Sequence, residues 1–147
     1  MVDIVSPEVR SRMMAGIRGK NTRIEFLIRR GLFKRGLRYR IHDARLPGKP
    51  DLSFRKYKAA IFVNGCFWHG HGCSLFKWPS SNAEFWRNKL LRNRENDYRK
   101  HASLEEAGWR VLTIWECTMR LRRKPLERIV AEAATWVTNG KRSRELT

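Results

Sequence analysis

The stretch that decides the fold is the apolar run AAIFV at residues 59–63. A continuous apolar run of this length is typical of a strand that is buried on both faces of a sheet. A second such run, RVLTIW, follows at residues 110–115. The intervening residues 82–107 are highly charged and end at Gly108, which predicts a long helix between the two strands.

Shorter elements flank these two strands. Residues 38–42 and 51–54 are predicted as strands, and helices are predicted near residues 7–16, near residues 22–36 and after Pro125. No repeat or linker divides the chain, so the order ααβββαβα predicts one α/β domain over residues 1–147, with a mixed sheet between helices. We expect residues 1–20 to form a basic N-terminal helix and arm, and residues 140–147 a loose polar tail.

The charge balance is extreme for a folded domain. The 147 residues contain 32 Lys+Arg and 14 Asp+Glu, a net charge of +18, and their 41% hydrophobic content is sufficient for a core. Such an excess predicts a polyanionic partner, with nucleic acid first and an anionic membrane surface second. No apolar run approaches the roughly 20 residues of a membrane span, and residues 1–7 do not resemble a signal peptide, so we expect a cytoplasmic protein with no membrane partner.

The segment CFWHGHGC at residues 66–73 concentrates metal-binding side chains, and Cys117 follows the later apolar strand. Three cysteines and one histidine can complete a closed tetrahedral site for a structural zinc ion. Spacing leaves open whether His69 or His71 is the fourth ligand. The alternative is that the cysteines are buried thiols and the histidines lie on the surface.

Two carboxylates break the basic pattern. Asp51 follows Pro50 at a strand start, where it could hold a hard cation, although Asp is also common in turns. Glu25 is the single acid among ten Lys and Arg in residues 12–40, and the alternative there is an exposed charge neutralised by its helical neighbours. With a loop histidine that zinc does not need, these residues suggest metal-dependent phosphodiester hydrolysis.

Aromatic side chains cluster near the same loop. Phe67 and Trp68 are adjacent, while Trp78, Phe85 and Trp86 lie in or beside the basic helix. Core packing could account for several of them. In a protein of this charge, exposed rings are also candidates for stacking on bases or wedging between base pairs.

Three stretches together carry a resemblance: Pro50-Asp51, IFVNGCFWH at residues 61–69 and RVLTIWEC at residues 110–117. Over roughly residues 7–120 the chain resembles the very short patch repair endonucleases. The resemblance implies a restriction-endonuclease-like fold and a magnesium-dependent enzyme that nicks double-stranded DNA 5′ of a thymine mispaired with guanine, a lesion left by deamination of 5-methylcytosine. It further implies a monomer near the bacterial nucleoid, with a mismatch-repair protein or a cytosine methyltransferase as a partner.

The resemblance also assigns roles to individual residues. Asp51 would bind magnesium at the scissile phosphate, with the Val63 carbonyl as a second contact and two ions in all; Glu25 would hold metal-bound water, and His69 would be the general base. The zinc ligands would be Cys66, His71, Cys73 and Cys117. The side chains that wedge into the duplex would be Met14, Phe67, Trp68 and Trp86.

The chain departs from the family pattern at Asn64, which stands where the related enzymes have a second active-site histidine. An amide can hydrogen-bond water or a phosphate but does not titrate near neutral pH. The acid-x-lysine triplet common in restriction-type folds is also absent from residues 62–64. Two alternatives to mismatch nicking are a non-catalytic zinc-stabilised DNA-binding module and a nuclease of the same fold with a different DNA target.

Overall fold

A computed structural model describes residues 22–121 and 124–147, and it places a five-stranded mixed sheet at the centre of the protein. The strands lie side by side in chain order. The second strand is antiparallel to the first and to the third, whereas the third, fourth and fifth are mutually parallel. They are β1 Arg40–Ile41, β2 Leu52–Phe54, β3 Ala59–Asn64, β4 Arg110–Trp115 and β5 Arg144–Leu146.

Helices cover both faces of this sheet. Within the described residues they are α1 Arg23–Lys34, α2 Ala83–Glu106, α3 Glu116–Arg120 and α4 Leu126–Asn139. Ile61 of β3 points into the main core with α1 and α4, while the neighbouring Phe62 packs on the opposite face with Leu104 of α2. Alternation along a strand therefore fills two separate cores. The predicted mixed α/β domain is confirmed.

The cap of α1 fixes the start of the helix. The Thr22 hydroxyl accepts a hydrogen bond from the Glu25 N–H at 3.2 Å, as expected of a threonine cap. The helix then packs closely on α4, since a Cβ added at Gly31 would lie 2.6 Å from Val130 Cγ2. This close approach holds α1 against α4 on one face of the sheet.

The long helix α2 is mostly exposed and packs on the sheet through few apolar side chains. Leu91 and Tyr98 are 51% and 77% exposed, whereas Leu90 and Leu104 are buried. With so few apolar positions, periodicity did not identify the packed face, and contact with β3 and β4 selects it.

The prediction of a loose tail was wrong. Residues 144–146 form β5, which pairs in parallel with β4, and Leu146 is only 2% exposed. The Thr118 hydroxyl also donates to the Leu146 carbonyl at 2.9 Å. Residues 144–146 are short and polar, so their sequence alone does not predict a strand. They form one because the open edge of β4 supplies backbone hydrogen-bond partners. The expected N-terminal helix and arm, residues 1–20, lie outside the described residues.

Candidate active site and metal centre

Three titratable side chains meet where β2 begins beside the end of β3. His42 Nε2 lies 2.7 Å from a Glu25 oxygen and 3.7 Å from Asp51 Oδ1. The other Asp51 oxygen accepts a hydrogen bond from the Val63 N–H at 2.7 Å. One ligand atom from each of Glu25, His42 and Asp51 lies within 4.8 Å of the others. We call these three residues the carboxylate cluster.

The interpretation of Glu25 as an exposed, neutralised charge was wrong. Glu25 is 1% exposed, and its carboxylate faces His42 with Arg29 at 3.8 Å on the next helical turn. A buried carboxylate beside a second one is costly unless cations or hydrogen bonds compensate it. Its position inside the protein is therefore an argument for a role in the site.

The pKa of Asp51 reflects the same cost of burying two carboxylates side by side. Its pKa is raised from 3.8 to about 6, chiefly by burial; the Val63 N–H and the charges of His42 and His69 act to lower the pKa, and the nearby Glu25 charge acts to raise it. A divalent cation between the two carboxylates would relieve this repulsion. Carboxylate oxygens are the donors that Mg²⁺ and Mn²⁺ prefer, so the cluster fits such an ion.

His69 approaches from the other side of β3. Its Nδ1 is paired with an oxygen of Asp97 on α2, with both side chains about a fifth exposed. An Nδ1–H that donates to a carboxylate leaves Nε2 as the basic nitrogen. The charge of His69 acts to lower the pKa of Asp51, so the two side chains lie near each other around the carboxyl end of β3.

The loop that carries His69 is tied to α2 by side chain to backbone bonds. The Asn93 amide donates to the Trp68 carbonyl at 2.8 Å, and Arg94 donates to the carbonyls of His69 and Gly70. Gly70 has φ +58, a conformation that glycine adopts without strain. The imidazole is therefore held by a rigid helix although it lies in an irregular loop.

The second cluster contains all three cysteines. One ligand atom each from Cys66, His71, Cys73 and Cys117 lies within 4.8 Å of the others, and Cys117 Sγ is 3.6 Å from His71 Nδ1. The parallel register explains the meeting, because Asn64 pairs with Trp115 and each cysteine follows two residues later. His71 faces the sulfurs, whereas His69 faces Asp97.

The donor set of this second cluster fits a soft tetrahedral cation. Burial raises the pKa of the Cys66 thiol. At Cys73 burial also acts upward, but the Leu75 N–H and the Cys66 and Cys117 side chains lower the pKa of its thiol overall. Ligands of a tetrahedral zinc ion lie roughly 3.5–4 Å apart for Zn–S bonds near 2.3 Å. The ring of His71 is further held by stacking on Trp115 at 4.1 Å.

The predicted wedge residues form one aromatic group. Phe67 lies 5.2 Å from Trp68 and 5.4 Å from Trp86, and the two tryptophan rings are 6.0 Å apart. All three side chains are partly exposed. Met14, the fourth predicted wedge residue, lies outside the described residues.

The sequence model of the family described as DNA mismatch endonuclease Vsr matches residues 2–75 of this chain. The chain belongs to this family. The DNA mismatch endonuclease Vsr of Escherichia coli is 42% identical over 132 residues, which cover 90% of this chain and 85% of the relative. This protein is therefore a DNA endonuclease, and the non-catalytic alternative is excluded.

Two further relatives carry the name of nicking enzymes. The type II nicking enzyme V.NmeAIP of Neisseria meningitidis serogroup A is 42% identical over 90% of this chain and 96% of its own length. The type II nicking enzyme V.XorIIP of Xanthomonas oryzae pv. oryzae is 44% identical over 81% of this chain and 88% of its own length. Residues 22–121 and 124–147 contain no helix of the length and apolarity needed to cross a membrane.

Two residues of this Vsr-family site escaped the sequence prediction. His42 ends an alternating strand pattern and carries no motif, but its backbone N–H donates to the Asp51 carbonyl at 3.2 Å, which brings it into the carboxylate cluster. Asp97 lies within a charged helix where acids are unremarkable. The one signal that could have pointed to Asp97 was the loop histidine that the zinc site does not use. A histidine that acts as a base needs a group to orient its ring.

Asn64 and Val63 lie on opposite faces of β3. Asn64 is 7% exposed and lines a cavity of about 250 Å³ together with His69, Asp97 and His101. Burial lowers the pKa of His101, and its ring packs on Phe62 at 5.1 Å. This polar cavity therefore adjoins His69, the candidate base.

Proposed function

We propose that this Vsr-family endonuclease is a magnesium-dependent enzyme that nicks double-stranded DNA on the 5′ side of the thymine in a T:G mispair. The observation that carries the proposal is the carboxylate cluster, with the His69–Asp97 pair near enough for the charge of His69 to act on Asp51. Phosphodiester hydrolysis needs both parts, since one group must hold a cation at the phosphate and another must take a proton from water.

The carboxylates would supply the cation site. Asp51 has Oδ1 directed toward the cluster while Oδ2 is occupied by the Val63 N–H. Glu25 would orient water within the cluster, with His42 holding its carboxylate in place. When bound, Mg²⁺ would polarise the phosphate and lower the pKa of its water. We include in this proposal that the Val63 carbonyl is a second ligand of Mg²⁺ and that the site binds two Mg²⁺ ions.

His69 would act as the general base. Its Nε2 would accept the proton of the attacking water, and Asp97 would stabilise the imidazolium and fix the ring through Nδ1. Asn64 would bind water or a phosphate oxygen from the adjoining cavity. Zinc held by Cys66, His71, Cys73 and Cys117 would have no open position, so its role would be to hold the loop.

Recognition of the mispair would rest on the aromatic group. Phe67, Trp68 and Trp86, with Met14, would enter the base stack, and a mispaired step costs less to unstack than a matched one. The +18 charge would hold the backbone without distinguishing sequence. We further propose that the enzyme acts as a monomer in the cytoplasm, near the nucleoid, with a mismatch-repair protein or cytosine methyltransferase as a partner.

A second candidate is nicking at a DNA target defined by its base sequence in place of a T:G mispair. The names of the relatives from Neisseria meningitidis and Xanthomonas oryzae, both type II nicking enzymes, favour it. The fold and the carboxylate cluster are equally compatible with either target. The two candidates therefore differ in substrate and not in chemistry.

The deciding experiment incubates the protein and Mg²⁺ with end-labelled T:G duplexes, matched duplexes and the other mispairs, each in several sequence contexts, and maps the cut. We expect a single nick 5′ of the mispaired thymine. Asp51→Ala should abolish nicking while duplex binding persists. Asp43→Asn is the matched control, because Asp43 is also buried but pairs with Arg45 outside the cluster. Cutting of matched DNA at a fixed sequence would favour the second candidate.

A further inference from the structure

Trp78 is a large ring that the proposed chemistry and the predicted wedge leave unused. Its side chain is 60% exposed, the most of any tryptophan in residues 22–121 and 124–147. One edge packs on Phe76, with ring centroids 5.0 Å apart at 78°. Phe76 in turn lies 6.1 Å from Phe67. Trp78 is thus the outer end of a continuous row of rings that leads to the wedge.

The position of Trp78 is supported from behind. The Phe76 N–H donates to the Cys73 carbonyl at 3.1 Å, so the segment is tied to the cysteine cluster. Pro79 follows directly and restricts the backbone at Trp78. The indole is therefore presented to solvent by an anchored loop.

Basic residues accompany Trp78 in the sequence. Lys77 directly precedes it and is exposed, and the exposed Arg87 and Lys89 follow Trp86, whose ring packs on Phe67. A large exposed ring next to a lysine, in a chain of net charge +18, matches a nucleic acid, in which apolar base and sugar faces lie next to phosphates. An apolar protein surface would contact the ring but would gain nothing from the positive charge of this chain, so we favour nucleic acid over a protein partner.

We propose that Trp78 is a DNA-contact residue that packs its exposed indole against the duplex beside the step entered by Phe67 and Trp68, and that it contributes to the preference for flanking bases. This inference rests on the proposed function. The ring distances of 5.0 and 6.1 Å place Trp78 within about 11 Å of Phe67. With about 3.4 Å per base step, the contact falls within about three steps of the wedge, on one side.

The test measures the affinity of the full-length, zinc-loaded protein for T:G and matched duplexes by fluorescence anisotropy at one salt concentration. Trp78→Ala should weaken T:G binding about tenfold, as expected for one lost stacking contact, and Trp78→Phe should recover most of it. Phe33→Ala is the matched control, since Phe33 is 52% exposed on α1 and its ring contacts Tyr39 and not the row of rings; the affinity of this variant should stay within about twofold of wild type.

A second arm locates the contact. Abasic sites are placed in turn at each of the three steps on either side of the mispair, and the ratio of the Trp78→Ala and wild-type affinities is compared. We expect this ratio of affinities to approach one when the abasic site is at one particular step on one side of the mispair, because the base that Trp78 contacts is then missing. An unchanged affinity of Trp78→Ala, or a ratio that no abasic site alters, would overturn the inference.

Failure of the inference can be told apart from failure of the proposed function. Trp68→Ala is carried through the same titrations, and wild-type nicking is mapped on the same duplexes. If Trp68→Ala weakens T:G binding and Trp78→Ala does not, the wedge stands and the inference is wrong. If wild type neither prefers nor nicks T:G duplexes, the proposed function is wrong, and the abasic scan on the preferred duplex still tests Trp78. Zinc content and circular dichroism check that each variant is folded. If Trp78→Ala does not fold, the comparison of Trp78→Phe with wild type still tests the inference.

Discussion

Replacing Asp51 by Asn should stabilise the protein in the absence of divalent cations. Burial and the neighbouring Glu25 raise the pKa of Asp51 from 3.8 to about 6. A difference of about two pKa units corresponds to about 3 kcal/mol between the charged and neutral forms at pH 7. Because the side chain is 14% exposed, we expect about 2 kcal/mol. Asn keeps a carbonyl oxygen for the Val63 N–H and loses the charge that opposes Glu25.

The pH dependence fixes the sign of this effect. Between pH about 4 and about 6 the folded protein holds a proton on Asp51 that the unfolded chain has released, so the cost of the carboxylate grows as pH rises through this window. Above pH about 6 the cost is complete. The advantage of Asp51→Asn in the free energy of unfolding should therefore be full at pH 7 and about half as large at pH 5.

The assay is urea unfolding of zinc-loaded wild type and Asp51→Asn at both pH values without added magnesium, followed by repetition with magnesium. Added Mg²⁺ should stabilise wild type and leave the variant nearly unchanged, since the variant lacks the charged ligand. Asp43→Asn serves as the control and should be destabilised, because Asp43 is paired with Arg45. If Asp51→Asn loses more than about 1 kcal/mol at pH 7, the account of a strained carboxylate is wrong.

Three further predictions address the other parts of the protein. Asp97→Asn should lower the single-turnover nicking rate by about one to three decades with little change in duplex affinity, because the His69 ring loses its carboxylate partner; a rate within twofold of wild type would remove Asp97 from the mechanism. Cys117→Ser should reduce bound zinc and the unfolding midpoint together, as metal analysis and thermal unfolding would measure, and full zinc at unchanged stability would contradict the four-ligand site. Leu146→Ala should cost about 2 kcal/mol in urea unfolding, since its side chain is buried against β4, and an unchanged stability would mean that β5 is not packed in solution.

The central architecture followed directly from the sequence. The apolar runs that became β3 and β4 and the long charged helix between them are local patterns, and each was found in the predicted place. The meeting of Cys66 and Cys117 could be anticipated because both follow apolar strands. Only the parallel register, Asn64 against Trp115, shows that they lie side by side.

The remainder depended on contacts between residues far apart in the chain. Glu25 and His42 are 17 positions apart, and His69 and Asp97 are 28 apart, so no periodicity links them. The chain ending was mispredicted for the same reason, because β5 exists through the edge of β4 and not through its own composition.

By itself the sequence determined the strand and helix content, the polycationic surface, the cysteine-rich loop and the family, since these depend on neighbouring residues and on similarity along the chain. The tertiary structure alone decided that Glu25 is buried, that His42 joins it to Asp51 and that Asp97 holds His69. The physical reason is that the pKa and orientation of a side chain are set by the groups packed around it, and packing is determined only when the whole chain has folded.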